Sequence, residues 1–161
     1  MKWILAIIIY TLTAIIGVTF KKYFCDFIFF PDLITVSMFC FCFSPESRFY
    51  FIKSKEINCL MYGLFGGLVY DCFSMNIFGE SLLSYGITAI FASRVKKKAE
   101  SVFLLSLGLY LMIFFTRFFI YKEFGFHYFF TIFFVSMANA ILYLVIEKKF
   151  LRKKIKRRLI Y

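Results

Sequence analysis

Six apolar stretches separated by short polar or basic segments account for most of the chain. They run Trp3 to Phe20, about Phe27 to Ser44, Ile57 to Ile77, about Ser81 to Ser93, Ser101 to Tyr121 and Tyr128 to Ile146. Most come close to the ~20 residues with which a helix crosses about 30 Å of hydrocarbon. The pattern predicts an all-α polytopic membrane protein, with a six-helix transmembrane domain over residues 1–147 and a basic tail over 148–161. Pro31 and Asp32 interrupt the second stretch near its start, and the short fourth follows the third through Ile77-Phe78-Gly79-Glu80. A five-span alternative makes the second segment re-entrant, since broken backbone is tolerated where protein buries it.

The third stretch carries a carboxylate, Asp71, well inside its apolar run. An isolated charge at that depth is costly and marks the interior of a bundle. Stepping back four residues at a time from Asp71 reaches Gly67, Gly63 and Cys59, with Gly66 and Ser74 flanking the same face. Such a stripe of small residues lets another helix approach closely and shields Asp71 from lipid. Asp71 is then either a buried structural hydrogen-bond acceptor or part of a ligand or partner site.

Charge placement decides the topology, because Lys and Arg concentrate in short loops on the cytoplasmic side. With six spans and both termini cytoplasmic, the inner face collects Lys2, Arg48, Lys53, Lys55, Arg94, Lys96, Lys97, Lys98 and eight basic residues of the tail, sixteen of the 20 in the chain. Lys21, Lys22, Arg117 and Lys122 fall at outer ends. Removing one span would set the 94–98 loop and the tail on opposite sides. The net charge of +11 is thereby an orientation signal, and no nucleic-acid partner is expected. The tail Phe150 to Tyr161 reads either as an interfacial helix on anionic lipid or as a solvated stop-transfer tail.

The same topology predicts that Asp32, Asp71, Glu80, Arg117 and His127 share the outer third of the bundle. Arg117 could there pair with Asp71 or Asp32, or snorkel to the headgroups. Asp32, following Pro31, is also placed to N-cap the second helix. Asn139, in the middle of the sixth span, reads as interhelical glue. The candidate partner or bundle interface is therefore Asp71, Gly63, Gly66, Gly67, Asp32 and Arg117.

Hydrophobic residues make up 62% of the chain and charged residues 18%, which excludes an ordinary soluble core. The abundance of Phe, with Ile and Lys, is read as compositional drift and given no function of its own. The first span lacks a small-x-small cleavage site before Lys21 and Lys22, so it reads as a retained helix. Cys25, Cys40, Cys42, Cys59 and Cys72 read as apolar packing residues rather than a disulfide framework. With His127 as the single histidine, no multi-histidine metal site is expected, and no cofactor. Gly79-Glu80-Ser81-Leu82-Leu83 lacks the last glycine of a nucleophile elbow, and serine catalysis would need Ser81 to meet His127.

Pro31-Asp32-Leu33, then Gly63-Leu64-Phe65-Gly66-Gly67-Leu68-Val69-Tyr70-Asp71, then Phe78-Gly79 before a short span containing Leu82, Tyr85 and Gly86, resembles the rod shape-determining protein MreD family. Length, span count and basic tail fit as well. The likeness covers the chain as a whole, but its specific motifs lie in residues 31–92. The basic, aromatic loop 45–56 and Glu80-Ser81 depart from the expected pattern. The resemblance implies a non-catalytic subunit of the bacterial lateral-wall (peptidoglycan) synthesis machinery in the inner membrane, a scaffold for cell shape. Its expected partners are an MreC-like bitopic membrane protein, other wall-elongation proteins and membrane lipid. The family is similar in architecture to the S-components of energy-coupling-factor vitamin transporters, which gives the alternative of a substrate-binding subunit. Ala6-Ile7-Ile8-Ile9-Tyr10 does not provide the Ala-x-x-x-Ala contact which that reading wants.

Overall fold

The structure is a computed structural model and describes residues 2–23, 31–43, 54–74, 79–96, 98–121 and 127–151. Among them there is no strand. Six helices follow in order: α1 (Lys2–Tyr23), α2 (Leu33–Cys42), α3 (Lys55–Ser74), α4 (Glu80–Arg94), α5 (Ala99–Tyr121) and α6 (His127–Ile146). A π-helical turn, Glu147–Leu151, continues α6. Each apolar stretch contains or overlaps one helix, which pairs the backbone N–H and C=O groups within the segment. Residues 152–161, with the question of an interfacial tail, lie outside the described residues.

The helices pack as two antiparallel pairs, α3 with α4 and α5 with α6, joined through α4 and α5. At one end Lys55 Nζ donates to the carbonyl of Ser93 at 2.8 Å, and Arg94 meets Glu56 at 3.2 Å. That holds the start of α3 to the finish of α4. In the other pair Phe114 lies against Phe129, with ring centres 5.1 Å apart.

The centre of the bundle belongs to α2. Seven of its ten residues are buried, among them Val36, Met38 and Phe39, and it touches α1, α3, α4 and α6. Its C-terminal end reaches the start of α3, where the thiol of Cys59 points at the carbonyl of Cys42 at 3.7 Å. Ten residues make a helix of about 15 Å, half the hydrocarbon thickness. The rest of the expected second span, 27–30 and 44, lies outside the described residues. On α1, Tyr10 and Ala14 are buried, whereas Ile4, Leu5, Ile8, Leu12 and Ile15 are exposed, so this helix lies at the edge. Tyr10 seats its ring in the core and donates its hydroxyl to the carbonyl of Tyr62 at 3.2 Å.

Among the described residues two helices are long and apolar enough to cross a membrane, over Ala99–Phe119 and Tyr128–Lys149. Large apolar side chains cover their outer faces: Leu104 and Phe130 are each 65% exposed and Phe119 is 78% exposed.

Candidate functional site

Two carboxylates organise the interior, each through donors of the same chain. Asp71 is 3% exposed and stands in the last turn of α3. Gly79, which precedes α4, has φ +103°, a left-handed backbone that glycine adopts at least cost, and it has no side chain with which to cap the helix. The cap comes from Asp71 instead. Its Oδ2 accepts from the backbone N–H of Gly79 at 2.9 Å and of Leu82 at 3.3 Å, while Oδ1 accepts from Ser81 at 3.1 Å. The first N–H groups of a helix lack internal partners and its N-terminus is electropositive, so a carboxylate from the preceding helix answers both needs. Asp71 thus bonds to the start of α4, and among the described residues no ion pair joins it to the Arg117 guanidinium considered from the sequence.

The close approach behind this cap is made by the glycines. A Cβ on Gly67 would stand 2.5 Å from Leu82 Cα and 2.7 Å from the carbonyl oxygen of Ser81. On Gly63 it would meet Ala89 Cβ and the Tyr85 carbonyl oxygen, both at 2.6 Å. Gly66 differs. A Cβ there would find Ile34, Tyr10 and Tyr85 at 3.5 Å, ordinary van der Waals distance, on the side facing α1 and α2. Gly63 and Gly67 therefore face α4 of the same chain, which is the bundle-interface side of the two alternatives that the sequence left open.

Asp32 forms the second centre. As the N-cap of α2 it accepts on Oδ1 from the N–H groups of Ile34 at 3.0 Å and Thr35 at 3.3 Å. Its Oδ2 takes three hydroxyls: Thr35 at 2.7 Å, Tyr85 at 2.8 Å and Tyr110 at 2.9 Å. Asn139 closes the ring, accepting from the Asp32 N–H at 2.7 Å and donating to the Tyr110 hydroxyl at 3.1 Å. One carboxylate thereby ties α2, α4, α5 and α6 together. Buried polar groups gain from such a network only when all members are satisfied, and both oxygens of Asp32 are.

Asp71 and Asp32 occupy different places in the bundle. Asp71 lies at the start of α4. Asp32 bonds to Tyr85 in the second turn of α4, to Tyr110, the central residue of the 23-residue α5, and to Asn139 of α6. Arg117 is partly buried near the C-terminal end of α5. The side chains of Glu80 and His127 lie outside what the structure describes. Ser81 is fully buried beside α3, with its hydroxyl unpartnered among the described residues.

The arrangement is therefore a structural clasp at two places. Both carboxylates accept hydrogen bonds from donors of the same chain. Tyr110 and Thr35 are the members that reading the sequence missed. Asn139 was expected to link helices and does so. The two hollows flanking α6, of about 410 and 460 Å³, have almost wholly apolar walls. Compared with family models, with curated proteins and with solved structures, the chain matches none.

Proposed function

We propose that the chain is a six-span membrane protein with both termini cytoplasmic, acting as a non-catalytic scaffold of the bacterial lateral-wall machinery and docking an MreC-like bitopic partner. The observation that carries the reading is where the MreD-like residues fall. Pro31-Asp32, the run Gly63 to Asp71, and Gly79, Leu82, Tyr85 and Gly86 are far apart in sequence, yet they converge where α2, α3 and α4 meet. Their close packing and their hydrogen bonds, from Asp71 to the start of α4 and from Tyr85 to Asp32, serve the bundle itself. Residues spent on holding helices together suit a scaffold better than a reaction centre.

Membrane residence is supported by the surface. Only 28% of the apolar window of α5 and 22% of that of α6 is buried, whereas a core helix of a soluble protein would be mostly buried. Exposed apolar area on this scale is stable against lipid and a liability in water. Because α3 and α4 occupy each other's small-residue faces, a partner helix would dock on an outer face of the bundle rather than on the glycine stripe.

The test is co-purification. Tagged chain, co-expressed with an MreC-like bitopic protein and extracted in mild detergent, should elute with that protein. Elution instead with an ATPase module and a tightly held vitamin would replace the scaffold reading with the transporter-subunit one.

A further inference from the structure

The hollow between α5 and α6 has a composition that names its occupant. It measures about 410 Å³, and its walls include Phe103 and Leu104 from α5 and Met137, Ile141 and Leu144 from α6. Ala99 and Glu100 stand at one end, where α5 begins. Lys98 precedes Ala99 and is exposed, Lys96 is exposed beside it, and the π-helical turn that continues α6 brings Lys148 and Lys149 to exposed positions past Leu144. The hollow is thus an apolar trough with cations at one mouth and apolar walls along its length.

The depth fits as well. The two apolar spans end at Ala99 and Lys149, so the mouth lies where hydrocarbon gives way to headgroups. Basic residues above a crevice between transmembrane helices attract anionic headgroups, while the crevice itself takes an acyl chain. Lysine stems can lie along apolar walls with the ammonium in the headgroup layer. Glu100 and Glu147 are the opposing charges at this end, and they leave the four lysines in excess.

We propose that this trough is a binding site for one anionic glycerophospholipid, with an acyl chain laid between α5 and α6 and the phosphate held by Lys98 and Lys148. The proposal rests on the membrane-embedded reading given above and deepens it by naming a lipid ligand. It is independent of the scaffold assignment. Occupied, the site would fill the gap between two helices with lipid at the basic face.

Native mass spectrometry of the full chain tests it, after delipidation and addition of phosphatidylglycerol or phosphatidylcholine at equal concentration. Wild type should retain one phosphatidylglycerol in preference to phosphatidylcholine. A Lys98→Gln, Lys148→Gln variant should lose roughly thirty-fold in that preference, as for two lysines acting separately at a charged surface. Leu104→Trp, at a position 65% exposed and so not needed for the core, should fill the trough and abolish retention of both lipids. Equal retention of the two lipids by wild type, or full retention by Leu104→Trp, would overturn the site. A carbonate wash of the host membranes separates the two levels of failure. Release of the chain without detergent would refute the membrane reading, whereas a chain that stays embedded yet shows no lipid preference would refute the trough alone.

Discussion

Gly66 and Gly67 are neighbours on one helix, yet the packing around them predicts opposite responses to a single methyl group. In Gly67→Ala the new Cβ would stand 2.5 Å from Leu82 Cα, and backbone cannot swing aside as a side-chain tip can. Carbon atoms rest at about 3.5–4.0 Å, so α3 and α4 must part by roughly 1 Å. Asp71 lies one turn further along the same face, with bonds already 2.9, 3.1 and 3.3 Å long. The same displacement carries the two shorter ones beyond the ~3.2 Å typical of N–H···O bonds and lengthens the third further. Overpacking costs about 1–3 kcal/mol and a lost hydrogen bond to a charged group about 1.5–3. Better helix propensity returns up to about 1 kcal/mol. The net loss is about 2–5 kcal/mol, a fall in Tm of roughly 5–15 °C at ~2–4 °C per kcal/mol for this size. In Gly66→Ala the methyl group lands at 3.5 Å, so the propensity gain stands and Tm should hold or rise slightly. Thermal unfolding in mild detergent, read by a thiol-reactive dye in a Cys25→Ser, Cys40→Ser, Cys72→Ser background, reports when the buried Cys42 and Cys59 become accessible. Equal losses in the two variants would refute the proposed α3–α4 contact.

The same assay covers three further expectations. Asp71→Asn leaves one acceptor oxygen for three N–H donors and should cost about 2–4 kcal/mol; Arg117→Gln combined with it should give additive losses within ~0.5 kcal/mol, and a larger coupling would show that the two side chains touch after all. Tyr110→Phe removes a donor from Asp32 and a partner from Asn139, so it should destabilise by about 1–3 kcal/mol, more than Tyr10→Phe, which gives up one hydroxyl bond to a carbonyl at about 1 kcal/mol. Glu56→Gln breaks the Arg94 ion pair, whose side chains are 64% and 54% exposed, and should leave Tm unchanged within the ~0.5 kcal/mol typical of such pairs.

Much of the bundle was legible because each apolar run of the sequence contains or overlaps one helix. Asp71 was also legible as a buried acceptor, since stepping by four residues places it on the face of Gly67 and Gly63. Its partner was not, because the donors are backbone N–H groups that no side chain advertises. Pro31-Asp32 signalled an N-cap, but nothing marked Tyr85 and Tyr110, among the 11 tyrosines, as the two that reach the carboxylate. Their meeting depends on where α2 begins. A second span taken to cross the whole membrane puts Asp32 at the outer rim; a ten-residue helix centred among four others puts it beside Tyr110 and Asn139. The role of the glycine stripe was ambiguous for a related reason, since small residues permit close approach without saying whose helix comes close.

The proposed scaffold topology and the lipid trough both require the basic ends of the helices to face one compartment. Reporter fusions test this most directly. A reporter active only in the cytoplasm should be active when fused after Tyr161 and when inserted in the 95–98 loop, and silent when inserted between 122 and 126. Activity at the 122–126 insertion with silence at the other two would invert the topology, and activity at all three would mean that the chain does not cross the membrane.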